Sequence, residues 1–224
     1  MEEPMNRVIE ARAQFWSSLG KMDTDVLTHL INPAFLAGPR WPTMHQAYLK
    51  VERPHSILLA SDGLSDPFED EQEANVGFGI ECYVDSDELE LRTTLGELRG
   101  SWQFQLLYQV AQNAAHLGVL KEELEQYGVI ALEVYDVNVP QNFISTEGRV
   151  GVLLGVDAPG IPREINTPEG SIRLVSIKLL TLPELVYIRQ YRGDGRKHLA
   201  ELFRAQGSYH LSSLKRQSVV LGDN

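Results

Sequence analysis

Alternation and helical periodicity divide the chain into segments. Met5, Ile9, Ala13 and Trp16 recur on one helical face, Pro4 suits a first turn and Gly20 a stop, so residues 4–19 read as a helix. Three prolines and a glycine punctuate 32–43, which reads as a loop. Residues 45–52 and 55–61 have strand character. In 76–84, Phe78, Ile80, Cys82 and Val84 alternate with Gly77, Gly79, Glu81 and Tyr83, the period of a half-buried strand. The clearest helix spans 101–117, with Phe104, Leu107, Tyr108, Ala111 and Ala114 in one stripe, Ser101 as N-cap and Gly118 as stop. A short helix follows at 120–127. The apolar runs 129–136 and 150–156 suit central strands covered on both faces. A proline-rich loop at 157–170, a strand at 171–180, helices at 182–191 and 195–206 and a final strand near 214–220 complete the pattern. The fold class is α+β, a mixed central β-sheet flanked by helices in one compact domain, with residues 1–35 as a helical lead-in and 36–224 as the body.

Composition changes this picture little: 43% hydrophobic and 23% charged residues are ordinary for a globular chain. Charge matters more. The formal net charge of -11 argues against nucleic-acid binding, which needs a cationic surface. No Lys or Arg lies between Arg53 and Arg92, a stretch with 11 Asp and Glu, whereas Arg189–Arg216 has seven Lys or Arg against Asp194 and Glu201. Such asymmetry steers charged partners. The single cysteine, Cys82, rules out an internal disulfide and sits on the apolar strand face as a buried, inert thiol. Met1-Glu2-Glu3-Pro4 lacks the basic and apolar regions of a signal peptide, and no apolar run approaches a membrane span. These features predict a cytoplasmic protein without membrane contact.

Chemical signatures are sparse. There is no G-x-S-x-G, Walker A, G-x-G-x-x-G or H-E-x-x-H sequence. GFGIEC at 77 and GDGRKH at 193 both lack the third glycine of a dinucleotide loop. The six histidines lack the spacing of metal ligands, so neither metal nor cofactor is expected. Asp66 and Glu69 could serve acid–base or calcium chemistry, but the EF-hand pattern is absent. Gly63 and Gly79 suit turns or close backbone approach, and Ser65 and Asp66 can bond nearby backbone N–H groups.

The order of motifs resembles the Suppressor of fused-like domain family over roughly residues 36–220. The likeness starts at AGPRWPTMHQAYLKVERPHSILLASDGLSDPF, whose second strand runs into Gly63-Leu64-Ser65-Asp66. It continues through Gly77-Phe78-Gly79-Ile80-Glu81, a long helix opening on Trp102, the Leu153-Leu154 strand with Asp157 and Pro159 after it, TPEGSIRLVSIKLLTLPEL, and a helix with Gly195, Leu199 and Phe203. Gln103 stands where the family often has proline, and the second domain of animal members is missing, so their two-domain clamp does not carry over. The resemblance implies a non-enzymatic protein-binding module. Single-domain members of bacterial type are frequently immunity proteins that neutralise a toxin by direct binding, and the chain's acidity fits a basic partner. A regulatory scaffold that sequesters a cellular protein by strand addition is the rival, and an enzyme with an unlisted site the third reading. The partner-binding residues implied are Asp66, Phe68, Glu69, Asp70 and Glu73, with Gly63, Ser65, Gly77 and Gly79 as the structural motif. The oligomeric state is left open.

Overall fold

The computed structural model describes residues 2–28, 35, 37–68, 70–71, 73–89 and 94–220. Helix α1 (Glu2–Leu19) turns Val8, Arg12 and Trp16 inward. Its buried face is offset from the apolar stripe expected, with Ile9 and Ala13 half-buried, because a charged residue takes a core position. A capping box on Thr94 opens the single turn α2 (Leu95–Leu98). Helix α3 (Trp102–Leu117) begins where Ser101 Oγ accepts from the Phe104 N–H at 3.2 Å and ends at left-handed Gly118. Helix α4 (Leu120–Tyr127) follows. Helix α5 (Leu182–Ala205) consists of two helical segments, as expected, joined across a kink at Arg192, whose φ of 50° and ψ of -120° are not helical.

The strands are β1 (Lys21–Met22), β2 (Leu27–Thr28), β3 (Ala47–Glu52), β4 (Ile57–Asp62), β5 (Ile80–Ser86), β6 (Ile130–Val134), β7 (Val150–Leu154), β8 (Glu164–Thr167) and β9 (Gly170–Leu179). They form one mixed sheet in the order β1-β3-β4-β5-β9-β7-β6, with β2 also on β3 and β8 on β9. Among the described residues β5 and β9 make the one parallel pair, Ile80 opposite Arg173 through Tyr83 opposite Ser176. The α+β class therefore stands, and several local expectations change. Residues 129–136 hold an edge strand, with Ala131, Leu132 and Glu133 half-buried, not a central one. The loop at 157–170 contains β8, which folds back on β9 as a hairpin. No strand forms at 214–220. The sequence at 76–84 enters its strand only at Ile80, Gly77 and Gly79 being turn residues, and β5 is buried on both faces. Of the loop at 32–43, residues 32–34 and 36 lie outside the described residues; 38–43 form no helix or strand.

Alternation sorts the core into layers. Ile80, Cys82 and Val84 of β5, with Val175, Ile177 and Leu179 of β9, face α3. Tyr83 faces the other way, with Trp16 of α1. Leu153 of β7 also points to that second side, where Ile188, Leu199 and Phe203 of α5 cover it. Thus α1 and α5 share one face and α3 has the other. Helix α1 packs on β1, β3 and β8.

The turn before β5 depends on glycine unequally. A methyl at Gly77 (φ 54°) would lie 2.3 Å from the Asp66 carbonyl oxygen, whereas at Gly79 (φ 63°) it would meet the flexible Lys121 side chain at 2.9 Å. Gly77→Ala is expected to lower stability by about 2–3 kcal/mol, through strain plus a backbone clash. Gly79→Ala is expected to cost only about 1 kcal/mol, because Lys121 can swing away. Urea unfolding of both variants measures this; an equal loss, or a larger one at Gly79, would contradict the assignment.

Candidate functional site

On the face shared by α1 and α5, the two central strands present Glu81, Tyr83 and Asp85 from β5, and Leu174, Ser176 and Lys178 from β9. Three of these are charged and all but inaccessible: Glu81 0%, Asp85 1% and Lys178 0% exposed. A charge in such a place needs a partner with good geometry. The chain supplies one from a different peripheral element in each case.

Glu81 holds the turn that follows β4. Its Oε1 accepts from the Gly63 N–H (3.1 Å), the Ser65 N–H (3.0 Å) and Ser65 Oγ (2.7 Å), and its Oε2 accepts from Ser61 Oγ. Beside it, buried Arg12 of α1 donates Nη1 to Ser65 Oγ at 2.9 Å and Nη2 to Asp66 Oδ1 at 2.6 Å, with Asp62 Oδ1 2.9 Å away. Asp66 Oδ2 accepts from Thr43 Oγ1 at 3.0 Å and meets His45 Nδ1 at 3.0 Å. Burial pushes Glu81 up to about 7, against the pull of Arg12. Burial also pushes Asp66 up, but the His45 hydrogen bond and the Arg12 charge outweigh it and hold that carboxyl below its ordinary value. The same bond raises His45, against partial burial.

The other two buried charges lie further along the strands. Asp85 Oδ2 accepts from Arg53 Nη1 and His210 Nε2, the latter at 3.0 Å, and both partners line a cleft of about 430 Å³ together with His55 and Tyr209. Burial raises the Asp85 carboxyl, and the bonds from His210 and Ser56 then bring it below normal. Lys178 Nζ donates to the carbonyl oxygens of Leu211 and Ser208 and lies 4.6 Å from the Phe203 ring centre. Burial, reinforced by Arg216, brings its pKa down to about 7.

The acidic loop leaves this network at Asp66 and returns at Gly77. Asn75 Oδ1 closes its neck by accepting from the Phe68 N–H at 2.8 Å and the Gly77 N–H at 3.1 Å. Asp70, Glu71 and Glu73 are exposed at its tip, and Glu69 lies outside the described residues. Asp66, expected at the contact surface, is instead fully buried, because Arg12, Thr43 and His45 all converge on its carboxylate. Phe68 is half-buried and stands edge-on to Phe78, with centroids 5.4 Å apart. Phe78 in turn lies against Gly118, on either side of which Leu117 and Val119 are 48% and 49% exposed. The expected motif residues are thus drawn together by Glu81: Gly63 and Ser65 as donors to it, Gly77 and Gly79 in the turn that precedes its strand.

Sequence reading missed Arg12, which lies beside the apolar stripe expected for its helix, and Lys178, within the strand expected at 171–180. The signal available was charge at inward positions of otherwise buried elements. Cys82 is fully buried, and burial pushes its thiol pKa up. Among the described residues no group of three His, Cys, Asp or Glu is placed to hold a metal, and no helix is long and apolar enough to cross a membrane.

No family model and no curated protein matches the chain. Solved structures do. A chain of the Sufu–Fu complex crystal structure aligns with a TM-score of 0.51 at 17% identity, over 96% of this chain and 92% of that one. The crystal structure of Drosophila Suppressor of fused aligns with a TM-score of 0.53 at 16% identity, over 96% of this chain and 51% of that one. The chain has a Suppressor of fused-like fold and spans about half the length of the Drosophila chain.

Arg12→Met leaves Asp66 and Glu81 buried beside an apolar side chain, and is expected to cost about 3–5 kcal/mol at pH 7. Part of that loss should return at pH 4–5, as the carboxyls protonate. In the native protein, Glu81 and His45 both have folded pKa values above their ordinary 4.5 and 6.5. Each favours the fold fully below its ordinary value and loses that effect as pH rises through the folded one. Stability should therefore fall between about pH 5 and 7, above which the depressed Lys178 pKa works in the opposite direction, and His45→Asn should flatten the part above 6.5. Urea midpoints across this range check both; an unchanged slope in the His45 variant would remove histidine from the network's titration.

Proposed function

We propose that the chain is a protein-binding module whose contact surface is the rim formed by the acidic loop and the α3–α4 junction. The observation that carries this reading is the half-buried Phe68–Phe78 pair, with Phe78 against Gly118 between exposed Leu117 and Val119, on a loop whose tip carries exposed Asp70, Glu71 and Glu73. Asp70, Glu71 and Glu73 on the loop, with Glu122, Glu123 and Glu125 on α4, are exposed, Glu125 within electrostatic reach of Arg173. An aromatic anchor inside a charged rim is the composition of a protein interface more than of a catalytic pocket. The likeness to a chain of the Sufu–Fu complex supports the same reading, since a protein of this fold there assembles with another. The partner is a protein with a basic face and an apolar projection, met in the cytoplasm. A toxin neutralised by direct binding fits this chemistry, and so does a regulator held inactive.

A second reading rests on β6. It ends the sheet, so one side of its backbone is open to strand addition, and Tyr135 just beyond it is 47% exposed. Capture of the partner from the native host, followed by two variants, separates the surfaces. Phe68→Ala should weaken binding tenfold or more, equivalent to about 1.4 kcal/mol, with only a modest loss of stability. Asp70→Lys with Glu73→Lys should slow association and reduce its salt dependence, as rim charges do. Binding unchanged by either variant, but abolished by proline within β6, would move the interface to the sheet edge.

A further inference from the structure

Strand β6 ends the sheet, and its pairing with β7 shows which of its backbone groups are left over. The Leu180 N–H donates to the Gly151 carbonyl and the Gly155 N–H to the Ser176 carbonyl, each at 3.0 Å, so the odd-numbered residues of β7 bond to β9. The even-numbered ones, Val150, Val152 and Leu154, therefore bond to Val134, Leu132 and Ile130 of β6. The backbone N–H and C=O groups of Ala131 and Glu133 point the other way, and no hydrogen bond engages them among the described residues.

Edge strands are commonly guarded by lysine, proline, a bulge or shortness. At the other end of the sheet β1 and β2 are two residues each. Strand β6 is five residues, IALEV, without lysine or proline. Its one charge, Glu133, is neutralised within the chain. Arg189 of α5 donates Nε and Nη2 to that carboxylate at 2.9 and 2.6 Å and reaches Glu147 at 3.1 Å. Arg149 stands 4.0 Å from Glu133 and over the Tyr135 ring. A chain with a formal net charge of -11 repels its own copies, so self-association needs a place where the acids are already paired, and β6 provides one. Exposed apolar side chains flank it. Tyr135 follows the strand at 47% exposure. On α5, Val186 is exposed one turn before Arg189, and exposed Tyr191 lies 4.5 Å from the ring of Tyr187, which packs with Ala131 on the same apolar cluster.

The strand is also self-complementary in one register. A two-fold axis at Leu132 puts Ala131 of each copy opposite Glu133 of the other. These are the residues with free backbone groups, so each such pair exchanges two hydrogen bonds. On the face toward α3, Leu132 meets its own copy and Ile130 meets Val134, all apolar. On the face toward α5, no two strand carboxylates stand opposite each other.

We propose that β6 is the two-fold interface of a homodimer, in which it pairs antiparallel with β6 of a second copy and joins two sheets into one. The dimer leaves the acidic rim open and does not rest on the reading of that rim. It occupies the edge that strand addition by another protein would need.

Sedimentation equilibrium of the full chain at micromolar concentration should give twice the mass of the 25.2 kDa chain. Ala131→Pro removes an N–H that β7 does not use, so it spares the ladder within each chain and should weaken the dimer at least tenfold. Phe68→Ala, at the rim, should leave the dimer unchanged. A monomer, a dimer that Ala131→Pro does not weaken, or one that Phe68→Ala dissolves would overturn the proposal. Cysteine cross-linking tests the register and decides alone if the proline variant does not fold. Leu132→Cys places two thiols on the axis, within disulfide reach, and should give covalent dimers on mild oxidation. Ala131→Cys, whose two copies lie diagonally across the pair, should not, and buried Cys82 takes no part. Cross-linking through both positions equally, or through neither, excludes this pairing.

Discussion

Burial of charge on one face of β5 and β9 is the constraint that organises this structure. A sheet interior ordinarily carries apolar side chains, because an unpaired charge there is far costlier than any single apolar contact is favourable. Here Glu81, Asp85 and Lys178 sit where valine or leucine would be expected. Each is compatible with the fold only while its partner is in place. The partners come from α1, from the β3–β4 turn and from the segment after α5, so the periphery is tied to the centre by specific bonds as well as by apolar contact. Buried ion pairs of this sort contribute little net stability, yet losing one member is severe. Their effect is to make placement of the outer elements specific.

The same network explains how the two glycine-bearing motifs are coupled. Gly63-Leu64-Ser65-Asp66 and Gly77-Phe78-Gly79-Ile80-Glu81 are two sides of one arrangement: the first turn offers N–H groups and hydroxyls, and the second delivers the carboxylate that receives them. The acidic loop between them starts and ends on rigid ground, with Asn75 pinning its neck. A charged, exposed tip on a fixed base loses less entropy when it meets a partner than a free loop would.

Much of the architecture was legible where local physics decides the outcome. The caps of α3 at Ser101 and Gly118, the strands β3 and β4 and the buried Cys82 follow from spacing and residue type alone. The edge position of β6 was not legible, since an apolar run looks the same at a sheet edge covered by helices as in its middle. Strand β8 was obscured by prolines, which mark loops without excluding a short hairpin between them. Residues 214–220 have strand-like composition, but no strand edge is offered to them. In the site, the turn residues could be read, whereas the inward direction of Asp66 could not. It depends on Arg12, which is 54 residues earlier in the chain and looks like a surface residue of an amphipathic helix.

The Asp85–His210 contact spans 125 residues of sequence. Chains emerge from the ribosome in order, so β5 is made long before β9, and His210 later still. Until then Asp85 is a carboxylate that favours water, and the apolar strand around it is an unpaired edge. A nascent chain of this design reaches its native state late, because closing long loops precedes the contacts that reward closure. The order of synthesis therefore makes the interval before residues 208–212 arrive the period of greatest exposure to misassembly, when chaperones have most to protect.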